Sequence, residues 1–184
     1  MNAKFLFKTA VLCLAMLAGC ISFASCSEDD DAPIEEDTNK LENVKIDYSI
    51  DLTENWFKYF DIELSYNTGA EEKTMVLTED WDCSITIPYT GETNYYCNVI
   101  AKPKAEVPAF DADSTYLFGK ESHARVTGIL KDGSVDSNFS SSLTEESGTL
   151  NVGGAAMEAY TQQEFTLLKF SYTPGKKLIE SERI

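Results

Sequence analysis

Four stretches of this chain alternate apolar and polar side chains with a period of two. Val44, Ile46, Tyr48 and Ile50 interleave with Lys45, Asp47, Ser49 and Asp51. Phe60, Ile62, Leu64 and Tyr66 interleave with Asp61, Glu63 and Ser65. Trp81, Cys83, Ile85 and Ile87 interleave with Asp82, Ser84 and Thr86, and Tyr95, Cys97, Val99 and Ala101 again share one face. Successive side chains on a strand point to opposite sides, so each stretch turns one face to a core and the other to water. A helix would scatter these residues around its axis.

The remaining segments extend the pattern. The turn Asn67-Thr68-Gly69-Ala70 suits the positive φ that glycine tolerates, and residues 73–79 return as a third strand with Met75 and Leu77 on one face. Residues 116–130 read as a long strand with Ala124, Val126 and Leu130 on one side. Lys131-Asp132-Gly133-Ser134 carries the Asp-Gly hairpin signal, which sends 135–143 back as a serine-rich strand, with a further short strand at 149–152. After Gly153-Gly154, residues 155–165 hold good helix formers and place Met157 and Tyr160 at helical spacing. Thr166, Leu168, Phe170 and Tyr172 close the body as a strand, and Pro174-Gly175 stops it. About seven or eight short strands, with turn signals between them and one short helix before the last, predict an antiparallel β-sandwich over residues 43–173. Residues 174–184 read as a polar tail.

The pair of strands at 81–88 and 95–101 reads as a hairpin. A three-residue loop at Tyr89-Thr90-Gly91 pairs Pro88 with Glu92, and so Cys83 with Cys97. That register predicts a disulfide between them. Two reduced cysteines packed in the core are the competing reading, and two thiolates without further ligands make a poor metal site. Lying 14 residues apart, the cysteines also read as too close in sequence to join opposite sheets.

The first 42 residues differ in kind. Lys4 and Lys8 precede an apolar, uncharged run over 9–24, shorter than the roughly 20 residues needed to cross a bilayer. A basic start, a short apolar stretch and small residues before a cut make a secretory signal over 1–25. Phe23-Ala24-Ser25-Cys26 then gives way at once to Ser-Glu-Asp-Asp-Asp. The alternative acceptor, Leu17-Ala18-Gly19-Cys20, fits a general lipobox better but is followed by apolar residues. Here the chain resembles the surface lipoproteins of Bacteroidetes, in which an acidic run behind the lipidated cysteine directs export. The resemblance implies lipidation at Cys26, anchoring in the outer membrane and exposure on the cell surface. Residues 26–42, rich in acid and poor in apolar side chains, predict a solvated tether reaching at most about 50 Å. The strand pattern of the body likewise resembles the small immunoglobulin-like domains of such lipoproteins, though without the tryptophan and cysteine spacing of antibody domains.

The chain's formal charge of −16 limits its partners. Loss of the leader removes two lysines and no acid, so the mature chain carries −18. Such a polyanion is repelled by nucleic acid and by anionic lipid, and stays dispersed on a crowded surface. The membrane partner is reached through the lipid alone. No cofactor or metal is expected. His123 is the only histidine, with no nucleophile legible beside it. Glu79 and Asp80 beside Trp81 are one of many carboxylate pairs and read as a solvated turn. Asp111 and Asp113 offer hard oxygens without the spacing of a calcium loop. Asp113-Ser114-Thr115 resembles the short O-glycosylation signal of Bacteroidetes exported proteins, which implies modification at Ser114. If residues 56–60 are extended, adjacent Trp56, Phe57 and Tyr59 cannot all face inward and form a candidate ligand patch. The expectation is a non-enzymatic surface module that binds a glycan or a surface protein or serves in surface assembly, with a small hydrolase or glycan-processing accessory as the alternative.

Overall fold

A computed structural model describes residues 40–139, 142–174 and 178–181. The leader, the lipid-acceptor positions Cys20 and Cys26, and the tether up to residue 39 lie outside the described residues. Strand β1 (Leu41–Leu52) begins inside the stretch read as tether and buries Val44, Ile46, Tyr48 and Ile50, the face that alternation assigned to the core. Its neighbours are β4 (Trp81–Pro88) and β6 (Thr115–Leu130), and β7 (Ser142–Gly153) lies beyond β6. The second sheet runs β3 (Glu72–Leu77), β2 (Phe60–Asn67), β5 (Tyr95–Pro103), β8 (Phe165–Thr173), β9 (Leu178–Ser181). Every pairing is antiparallel. The expected β-sandwich is thus what the chain forms, and β9 pairs along β8 where a tail was expected.

The partner of β4 is not the expected one. It pairs with β1, placing Cys83 opposite Tyr48, while β5 pairs with β2 and β8, placing Cys97 opposite Tyr66 and Phe170. Residues 89–94 therefore cross between sheets instead of closing a hairpin, and no disulfide joins Cys83 to Cys97. Alternation fixes which face a strand buries but not which strand lies beside it. β1 offers β4 eight residues in register, and the Tyr89 N–H extends the match by donating to Glu42 O at 2.8 Å. Gly91 serves the crossing with φ of 144°, a conformation that other residues rarely adopt.

Residues 54–59 form a short helix, α1 (Glu54–Tyr59), rather than strand. Trp56, Tyr59 and Phe60 stand three and four residues apart, so the helical turn directs all of them inward. Trp56 is 5% exposed and Tyr59 is 0%. Phe57 is half-buried against the same core. Trp56 meets Phe118 edge-on at 5.1 Å between centroids and Phe165 at 5.6 Å, and Tyr160 packs on Phe118 and Phe165 at 4.8 Å each. The candidate ligand patch of Trp56, Phe57 and Tyr59 is instead part of this aromatic core. The hydroxyls of Tyr48 and Tyr59 and the Trp56 Nε1 lack hydrogen-bond partners in it. Each omission costs about 1–3 kcal/mol, which large aromatic burial offsets.

The helix expected before β8 is a 3-10 turn (Gly154–Ala156) followed by α2 (Met157–Tyr160), with Met157 fully buried. Gly154 is required there because a Cβ would collide with the backbone of Asp111 and Ala112. The Asp-Gly turn forms at 131–134, but its pairing ends at a single bridge from Ile129 to Val135. Phe139 then lies over Gly128, and the return strand is one continuous β7 rather than the expected pieces at 135–143 and 149–152.

In β8, Val99 faces Leu168 and Ile100 faces Thr166, so Leu167 is an extra residue in a bulge. Its carbonyl accepts from Lys120 Nζ at 3.0 Å and Ser122 Oγ at 3.3 Å, linking the sheets. Lys120 also pairs with Glu146 at 2.7 Å, with side chains 19% and 23% exposed. An inward charge of this kind, next to edge strand β7, discourages a second sheet from docking there.

Candidate functional site

The outer face of the first sheet gathers the polar residues that alternation excluded from the core. Along β1 these are Lys45, Asp47, Ser49 and Asp51. The register sets Ser49 between Asp82 of β4 and His123 of β6, and Asp47 between Ser84 and Arg125. Asp51 lies opposite Glu121. Ser49 Oγ and His123 Nδ1 share a hydrogen bond of 2.8 Å. Lys45 pairs with Asp47 at 2.8 Å, and Arg125 is exposed. Asp47, Ser49, Asp82, Ser84, His123 and Arg125 line a shallow depression of about 370 Å³.

A second depression, of about 490 Å³, continues along the same two strands. Asp51 of β1, Thr53 just beyond it, Gly119 and Glu121 of β6, and Ser147 and Thr149 of β7 line it. Thr53 Oγ1 accepts from the Gly119 N–H at 2.9 Å and donates to Leu117 O at 3.1 Å, which holds that end of the floor. Partial burial raises the Asp51 carboxyl above its ordinary value. Repulsion from Asp80, Glu121 and Asp82 adds to this, and His123 opposes it.

The two faces of the sandwich divide the sequence-based candidates. His123 has a hydroxyl partner that sequence reasoning missed, because Ser49 lies 74 residues away and only the β1–β6 register joins them. Glu79 and Asp80 are exposed, and Asp80 Oδ1 accepts from the Leu52 N–H at 3.0 Å. Trp81 beside them turns inward onto Tyr66, with centroids 5.2 Å apart. Asp111 accepts from the Asp113 N–H at 2.9 Å and from Ser114 Oγ at 3.0 Å, and these bonds hold its carboxyl below the usual range. Ser114 is half-buried, and its carbonyl accepts from the Gly154 N–H. Among the described residues no three His, Cys, Asp or Glu side chains converge as a metal site requires. Burial pushes the Cys97 thiol far above its ordinary value, with Cys83 adding to the effect.

The polar face can bind through many hydrogen bonds of both senses. Among the described residues that line it, none is an exposed aromatic. β1 and β6 are both interior strands whose backbone N–H groups serve the ladder, so the donors on this face are side chains, Arg125 among them. Among the described residues no helix is long and apolar enough to cross a membrane. Compared with protein families, characterised proteins and solved structures, the chain has no significant match.

Proposed function

We propose that this chain is a lipid-anchored module of the outer membrane surface, tethered through acyl chains on Cys26, that binds a glycan or a surface protein without transforming it. The body is read as a small immunoglobulin-like domain. The observation that carries the binding reading is the outer face of β4, β1 and β6, where Ser49, His123, Asp47, Asp82, Ser84 and Arg125 line one shallow depression. Hydroxyl, imidazole, carboxylate and guanidinium groups side by side suit a polar ligand. Two or more acyl chains on one cysteine hold a protein stably on a bilayer, so the sandwich needs no membrane-binding surface of its own.

The Ser49–His123 hydrogen bond favours one second reading, a small hydrolase or glycan-processing accessory, since a serine beside a histidine is half of a nucleophilic pair. Two experiments test the proposal. Palmitate labelling in cells should mark the wild-type chain and spare Cys26→Ala. Binding of purified protein to glycan and envelope-protein panels should fall at least tenfold in the double variant Ser84→Ala, Arg125→Ala. Binding indifferent to those changes would remove the assignment of the face. Turnover of any glycan that disappears in Ser49→Ala would replace binding with catalysis.

A further inference from the structure

The two depressions on the outer face are parts of one track. Ser49 and His123 line the first, and Asp51 and Glu121, each two residues away on the same strand and the same side, line the second. From Asp47 to Thr53 the track follows β1 and the extended residue just past its end, about 20 Å at the usual strand rise. Gly119 lies in the floor, and Ser147, Thr149 and Thr53 border its far end.

Its chemistry is uneven in charge and rich in hydrogen-bonding groups. Among the described residues, the outward carboxylates of Asp47, Asp51, Asp82 and Glu121 outnumber the cations beside them, the Arg125 guanidinium and the Lys45 ammonium that pairs with Asp47 at 2.8 Å. Lys120 also borders the second depression, but its ammonium is turned onto Glu146 and the Leu167 carbonyl. Carboxylates accept hydrogen bonds from hydroxyls and repel anions. Resting on the binding function proposed above, we infer that this track holds one extended, uncharged, polyhydroxylated chain, a neutral polysaccharide lying along β1 and β6, and discriminates against acidic polysaccharides.

The full-length protein purified in detergent is titrated with linear neutral oligosaccharides of glucose, mannose and xylose in increasing length, and with uronic-acid oligomers of matched length. For at least one neutral series, affinity should rise with length and level off once the ligand fills about 20 Å. Uronic-acid oligomers should bind at least tenfold more weakly. Ser147→Trp, at an exposed position where a large side chain fits without disturbing the core, should abolish the gain from length. Equal affinity for short and long neutral ligands, or for neutral and acidic ones, would overturn the track and leave the surface-binding reading standing. Binding of a protein but of none of the oligosaccharides would do the same. Binding of neither on this face would overturn both.

Discussion

Ser49 Oγ lies 2.8 Å from His123 Nδ1, and this contact is a lateral tie between β1 and β6 on the sheet's solvent side. Both side chains are half-buried, so water can replace the bond at modest cost. Ser49→Ala should lower unfolding free energy by about 0.5–1.5 kcal/mol, the usual worth of such a hydrogen bond. Urea titration of wild type, Ser49→Ala, His123→Ala and the double variant closes the cycle. Strictly additive losses would mean that the two residues do not interact in solution.

The placement of the cysteines leads to a different expectation. Cys83 is half-exposed on edge strand β4, and Cys97 is buried on central strand β5. Burial raises the Cys97 thiol, which depletes its reactive thiolate. Alkylation of the folded, reduced protein, mapped by peptide mass spectrometry, should label Cys83 and spare Cys97 until denaturant is added. Equal labelling rates would contradict the assignment of the two strands.

Strand faces were legible because a period of two is local. Val44 through Ile50 announced their burial within seven consecutive residues, and the turn at Gly69 announced the β2–β3 hairpin. Strand partners were not legible. Nothing near Cys83 in the sequence says that Tyr48, not Cys97, lies beside it, because that choice depends on the competing registers of the whole sheet. The candidate site failed for the same reason. Ser49 and His123 each carry the outward mark of alternation, but their adjacency depends on a pairing made across most of the domain. Trp56, Phe57 and Tyr59 misled in another way. Five consecutive residues with four aromatics look like strand, and one helical turn buries Trp56 together with Tyr59, which an extended chain would turn to opposite faces.

Trp56 anchors the aromatic cluster at the α1 end of the sandwich, touching Phe60, Phe118, Tyr160 and Phe165. Trp56→Ala should cost about 3–5 kcal/mol, as large-to-small changes of buried aromatics do. Trp56→Phe should cost much less, because it retains most of the packing and removes an indole N–H that has no partner. Denaturation monitored by circular dichroism gives both values. A mild effect of the alanine variant would place Trp56 at the surface instead of in the core.

Asp51 provides a pH dependence with a definite sign. Its carboxyl is raised in the folded protein, chiefly by burial and then by Asp80 and Glu121. The folded state therefore holds that proton more tightly than the unfolded state, and Asp51 favours folding at low pH. That contribution is lost as pH rises from the ordinary carboxylate range through the raised folded value. At neutral pH the charged carboxylate is a small liability. Asp51→Asn should raise the melting temperature at neutral pH and lose that advantage below the carboxylate range. A variant equally stabilised at both pH values would show that charge is not the cause.

Gly154 joins the loop before β6 to the turn before β8. Its N–H donates to Ser114 O at 2.8 Å, and the missing Cβ leaves room for the Asp111 and Ala112 backbone. Backbone, unlike a long side chain, cannot swing away, so Gly154→Ala must push the 111–114 segment off the sandwich or distort α2. Overpacking of this kind costs about 1–3 kcal/mol. The displacement should also release the bonds that Asp111 accepts from Asp113 and Ser114, so its carboxyl should titrate closer to the ordinary value. NMR titration of the Asp111 carboxyl in wild type and Gly154→Ala reads this directly. The neighbouring Gly153 meets no atom where its Cβ would stand, so Gly153→Ala should leave both stability and titration unchanged. Equal behaviour of the two alanine variants would mean that this close approach does not hold the segment in place.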